Sequence, residues 1–159
     1  MHTIIGIDPG LAATGIGIVG GRGLEISQFA YGVVRTEPVC PLSERLEKIF
    51  SSIQKVLEDE KPHLMVIEDV FSLEKYPKSG ITLGKVCGVI LLAAKKKDIP
   101  ILEVPVREAK QVLTGNGNAS KQQLEKAVRR ALGCSRQIKP FHASDALGLA
   151  LIGLYRSRL

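Results

Sequence analysis

The sequence predicts an α/β fold: one mixed five-stranded sheet, three antiparallel strands followed by two parallel ones, with helices on both faces. Three observations lead there. Ile4-Ile5-Gly6-Ile7 and Leu64-Met65-Val66-Ile67 are short, apolar and rich in β-branched side chains, without the alternation of a half-exposed strand, so they read as buried parallel strands. A glycine-rich stretch after the first run marks a hairpin. The remaining apolar positions recur every three or four residues, the period of helices.

Taken in order, the first strand covers about 3–8 and meets a Pro9-Gly10 turn. A second strand follows at 14–19, whose glycines permit close backbone approach. Gly20-Gly21-Arg22-Gly23 reads as the hairpin turn, and a third strand runs from about Leu24 to Arg35. Leu42, Leu46, Ile49, Phe50, Ile53, Val56 and Leu57 then line one face of a helix over about 42–59. A fourth strand at 63–67 ends at Glu68. The helix expected over 80–97 is apolar almost all round, which predicts cover on more than one side: the sheet, and a partner subunit. A fifth strand (99–104) leads through Pro105 into another helix. Residues 114–118 form a turn, and Ser120 or Asn118 caps a helix over about 120–132. The last helix spans 143–156, giving the order βββαβαβααα.

Composition narrows the class. The 159 residues suit one domain, 1–159, and 45% hydrophobic with 24% charged residues is ordinary for a soluble globular protein. With no Trp, the core must be aliphatic. Residues 1–100 balance 12 Lys/Arg against 12 Asp/Glu, whereas residues 101–159 carry 10 against 4, so the whole net charge of +6 lies in the last third. A polyanion-binding face needs such a bias, although solvated helices show it too. Three isolated cysteines, Cys40, Cys87 and Cys134, fit neither a zinc site nor a disulfide framework and point to a reducing cytoplasm. No signal peptide is evident, and the longest apolar stretch, Val86 to Ala94, is too short to span a bilayer, so no membrane is expected.

Three acids stand where elements end or begin. Taken alone, Asp8 before Pro9-Gly10 reads as a turn residue, and Glu68-Asp69 as an ordinary loop start. Both, however, close apolar parallel-type strands, and neighbouring parallel strands bring such ends to one edge of the sheet. Asp145 on a helix would add a third carboxylate, and His142, three residues earlier, shares its face. Clustered carboxylates repel unless a hard cation such as Mg²⁺ or Mn²⁺ neutralises them. That set of parts suits a metal-dependent nuclease. Gly115-Asn116-Gly117-Asn118-Ala119-Ser120-Lys121 lacks P-loop spacing, so nucleotide binding is not supported.

Four pieces in sequence, Gly6-Ile7-Asp8-Pro9-Gly10 with Thr14-Gly15, Ile67-Glu68 with Val70-Phe71, Leu83-Gly84 with Gly88, and Ala143 with Asp145-Ala146-Leu147, resemble the RuvC family of Holliday-junction resolvases over essentially the full length. The resemblance implies an RNase H-like fold and a homodimer whose subunits each nick one of two like-polarity strands at a four-way DNA junction. It implies Mg²⁺ or Mn²⁺ held by Asp8, Glu68 and Asp145; the mechanism expected is two-metal hydrolysis, two ions per subunit, with Asp8 shared between them. It also implies cooperation with the branch-migration proteins RuvA and RuvB in recombination and repair. Where many relatives carry a fourth Asp, this chain has His142, a poorer ligand for Mg²⁺ and a better one for Mn²⁺, or a group for proton transfer.

Phe71, Lys75 and Lys78 belong to a basic, aromatic loop suited to an unpaired base at the crossover. Lys110 and Lys121 align with basic residues that the family places near the scissile phosphate, and Lys121 opens a helix whose free amides favour phosphate. Two other readings keep the fold and change the activity. One is a nuclease for RNA–DNA hybrids or RNA processing, the other a junction binder that does not cut. A sugar-kinase or heat-shock-ATPase relative would need a second lobe for which the chain has no room.

Overall fold

The computed structural model describes residues 1–69 and 77–157. Its element order is β1 (His2–Asp8), β2 (Ala13–Arg22), β3 (Glu25–Arg35), α1 (Leu42–Glu60), β4 (Leu64–Glu68), α2 (Pro77–Lys96), β5 (Ile101–Val104), α3 (Val106–Thr114), α4 (Lys121–Leu132) and α5 (Phe141–Arg156). The strands lie in the order β3-β2-β1-β4-β5; β1 pairs antiparallel with β2 and parallel with β4, and β5 is parallel to β4. This is the mixed sheet expected, in the expected order of elements.

Period-two alternation splits β1 and β4 between two cores. Ile5, Ile7, Met65 and Ile67 face α1 and α2 and pack with Ile49, Ile53, Leu57, Val86 and Ile90. Ile4 and Val66 face the other way and pack with α3, α4 and α5. Both cores are built almost wholly of aliphatic side chains.

Some boundaries move. The hairpin turn is Gly23-Leu24 alone, because β2 continues through Arg22 and a bulge at Gly20/Gly21 lets both glycines stay paired with β3. Gly23 adopts φ +60, which an L side chain resists. β5 starts at Ile101 rather than 99, since Asp98 turns the chain with φ 51. The helix α2 begins at Pro77, three residues early, and α5 at Phe141, two early. Ser120 caps α4 through a reciprocal capping box with Gln123, and Pro105 stands just before α3 rather than within it.

The packing of α5 fixes everything downstream. A Cβ added to Gly6 would stand 1.9 Å from the Ala146 carbonyl oxygen, and one on Gly15 would stand 2.0 Å from that of His142. Glycine at these positions lets the α5 backbone lie directly on β1 and β2, with no side-chain layer between. Among the described residues, no helix is long and apolar enough to cross a membrane.

Candidate active site

Alternation that sends Ile4 and Gly6 toward α5 sends Asp8 there too, and likewise Glu68 follows Val66. The parallel register pairs Ile7 with Ile67, so Asp8 and Glu68 end adjacent strands side by side. Across the hairpin Asp8 pairs with Gly15, and Gly15 is the residue on which the His142 backbone rests. Asp8 is 6% exposed, and its Oδ2 lies 2.7 Å from His142 Nδ1. When Nδ1 carries the proton it donates to Asp8, leaving Nε2 free to accept a proton or bind a cation. Thr14 holds the turn after Asp8: its hydroxyl donates to the Gly10 carbonyl at 2.7 Å and accepts the Gly10 amide at 3.4 Å.

The electrostatics are those of acids crowded together. Burial, then contact with Asp8 and the charge of Asp145, push the Glu68 carboxyl up to about 8, with Lys110 opposing. Burial and the Asp8 charge push Asp145 up to about 6, against Lys121, His142 and Lys110. The hydrogen bond to Asp8 is the main cause that raises the His142 imidazole above its ordinary value, with burial and Lys121 opposing. At neutral pH Glu68 therefore keeps its proton unless another positive charge replaces it.

That charge fits a hard divalent cation. Asp145 Oδ1 is buried with no hydrogen-bond partner, an unspent oxygen donor beside two further carboxylates. Among the described residues, no three His, Cys, Asp or Glu side chains yet close on a single point. The carboxylates stand within electrostatic reach of one another, and the oxygen-rich donor set is the kind Mg²⁺ and Mn²⁺ prefer.

Of the expected residues, Asp8 and His142 are in contact, Glu68 and Asp145 lie within electrostatic reach of Asp8, and Lys110 and Lys121 act on their charges from α3 and α4. Lys78 is exposed on the first turn of α2, lining with Pro9, Gly10, Leu11, Thr82 and Leu83 a cleft of about 440 Å³ just past Asp8. Phe71 and Lys75 lie outside the described residues. The close backbone approach expected at the glycines of β2 is made by α5, which also lies on Gly6. One feature escapes a reading of the sequence: Glu125, 3% exposed, accepts the Ile138 amide at 2.9 Å and ties α4 to the segment entering α5.

Comparison with known proteins agrees with this arrangement. The family model for crossover junction endodeoxyribonuclease RuvC matches residues 4–153. A RuvC from Brevibacillus brevis is 36% identical, over 93% of this chain and 89% of its own. One from Thermotoga petrophila is 37% identical, over 98% and 93%. The structure of Thermus thermophilus RuvC superposes with a TM-score of 0.85 at 30% identity, covering 98% of this chain and 95% of that one. The same protein in complex with Holliday junction substrate gives 0.90, covering 99% and 96%. An RNase H-like sheet, an edge of clustered carboxylates and relatives matched along nearly their whole length lead to one conclusion: this chain belongs to the RuvC family of crossover junction endodeoxyribonucleases.

Proposed function

We propose that residues 1–159 form a single nuclease domain that resolves four-way DNA junctions, each subunit of a homodimer nicking one of two like-polarity strands. The observation that carries this reading is the meeting of Asp8, Glu68, His142 and Asp145 at one sheet edge, with Asp145 Oδ1 buried and unpaired. Asp8, Glu68 and Asp145 would hold Mg²⁺ or Mn²⁺, two ions per subunit, with Asp8 shared. Such cations supply Lewis acidity at the scissile phosphate, making water a competent nucleophile near neutral pH and offsetting charge on the departing 3′ oxygen. His142 orients the Asp8 carboxylate and offers Nε2 to a cation or a proton. Lys110 and Lys121, next to the acids, would hold the phosphate that is cut, and Lys78, with Phe71 and Lys75 earlier in the sequence, would meet the crossover.

The helix α2 supports the dimer. Ile81 (63% exposed), Gly84, Gly88 and Leu92 (52% exposed) form a bare stripe at helical spacing, opposite the side that packs on the sheet. Work in the cytoplasm alongside RuvA and RuvB, in recombination and repair, follows from the family resemblance.

The test compares cutting of a synthetic four-way junction, a linear duplex and an RNA–DNA hybrid, with Mg²⁺ and with Mn²⁺. The junction should be cut in paired nicks, and Asp8→Asn should abolish cutting while junction binding persists. Preference for the hybrid would move the assignment to a different RNase H-like nuclease; binding without cutting in either metal would make this chain a junction binder only.

A further inference from the structure

The buried face of α4 is apolar except at one position. Leu124, Val128 and Leu132 pack in the core beside α5, and Glu125 stands among them, 3% exposed. A carboxylate in such surroundings is costly unless its oxygens are used. Its Oε1 accepts the Ile138 amide at 2.9 Å, and Arg129 Nε lies 2.9 Å from the same oxygen. Ile138 is itself fully buried in this core, within the segment 133–140 that joins α4 to α5. Loss of that oxygen would leave a buried N–H without its acceptor.

The arrangement of rows on α4 gives this bond a consequence. Leu124, Val128 and Leu132 recur every four residues and form one row along the helix. This row meets α5 at Gly148, where an added Cβ would stand 3.4 Å from Val128 and 4.0 Å from Leu124. Glu125 belongs to the neighbouring row, and so does Lys121, one turn earlier. The charge of Lys121 acts on both Asp145 and His142 in the first turns of α5. Packing along a single row sets the distance between two helices. A directional bond from the adjacent row also sets the roll of α4 about its own axis. Because α5 is seated on the glycines of β1 and β2, α4 is the partner that would turn, and roll carries Lys121 with it.

We propose that Glu125 is a positioning residue for cutting: by holding the Ile138 amide it fixes the roll of α4, and so where the Lys121 ammonium stands relative to Asp145 and His142. The inference rests on the junction-cutting reading, in which Lys121 holds the scissile phosphate. Glu125 faces the 133–140 segment and acts only through Lys121.

Two variants test the bond. Glu125→Gln keeps an oxygen for Ile138 and removes the charge, whereas Glu125→Met keeps the volume and the helix preference and removes both oxygens. At saturating four-way junction and metal, Glu125→Met should cut about 10-fold slower, part of the roughly 100-fold that a misplacement of about 1 Å can cost. Glu125→Gln should cut at the parent's rate. Ile53→Val, in the core on the other face of the sheet, is the control for lost stability. It should lower the melting temperature and leave cutting unchanged in assays well below that temperature. Lys121→Ala should itself slow cutting, and adding Glu125→Met should slow it no further, since nothing remains to be positioned.

Cutting at full rate by Glu125→Met overturns the proposal. Glu125→Gln as slow as Glu125→Met also overturns it, by making the charge the working part. Losses that multiply in the Lys121→Ala/Glu125→Met protein, or Ile53→Val as slow as Glu125→Met, would make Glu125 a structural residue only and overturn it too. A parent that cuts no junction, or Lys121→Ala cutting like the parent, fails the functional reading and takes this inference with it.

Discussion

The helices α5 and α2 are the two most apolar in the chain, and they spend that character differently. In α5, buried residues run without a break from Ala146 to Leu154, enclosed by the sheet on one side and by α3 and α4 on the other. In α2, Val86, Ile90, Ala93 and Ala94 are buried while Ile81, Gly84, Gly88 and Leu92 stand in solvent. The glycines repeat the contrast. Those under α5 are filled to contact by its backbone, whereas a Cβ on Gly84 or Gly88 would meet nothing within 4 Å. One helix satisfies its surface within the chain and carries chemistry; the other leaves a stripe uncovered among the described residues.

The same substitution should therefore have opposite outcomes on the two sides. Gly15→Ala forces α5 off the sheet; it should cost about 3 kcal/mol in denaturant unfolding. By displacing His142 and Asp145 it should also slow junction cutting about 100-fold. Gly32→Ala, where a Cβ also meets nothing within 4 Å, is the matching control and should change neither. Gly88→Ala should make the subunit more stable by about 1 kcal/mol, as glycine-to-alanine does in an exposed helix. Its cost, and that of Leu92→Asp, should appear in assembly: sedimentation should show half the mass, and nicks should become unpaired.

His142→Asp probes α5 more gently. If His142 is a ligand, the parent should cut faster with Mn²⁺ than with Mg²⁺ and the variant should reverse the order; equal preference in both proteins would leave His142 a proton or orienting role. The smallest effect is one of pH. Carboxyls raised in the folded state stabilise it fully below the unfolded value, 4.5 for Glu68, and that contribution is lost as pH rises toward about 8. Asp145, raised to about 6, acts in the same direction. Mg²⁺ should offset the loss, so its gain in melting temperature over EDTA should be larger at pH 8 than at pH 5, by about 2–4 °C for each kcal/mol recovered.

Much of this is legible in the residues. Apolar runs ending in Asp8 and Glu68 reveal both strands and the shared edge, since parallel strands leave few other arrangements. The heptad-like spacing in 42–59 places α1 within one residue at its C-terminal end. What stays hidden depends on contacts between distant segments. Gly15 announces a close backbone approach, but not that α5 is the segment lying across it. Glu125 reads as a helix-surface acid until the Ile138 amide is found beneath it. The pair Gly20-Gly21 reads as a turn and is a bulge, because both use the same residue type.

The β1–β2 ladder runs without irregularity from His2 opposite Gly21 to Asp8 opposite Gly15. A slip of one residue there would rotate Asp8 to the side of α1, into a greasy wall and away from every other acid. The short bend 9–12, fastened by Thr14, sets instead where β2 and the Gly15 seat of α5 stand relative to Asp8. Inserting a single residue within 4–7 would leave a recognisable fold with its first carboxylate on the wrong side, so this strand should tolerate changes of residue type far better than changes of length.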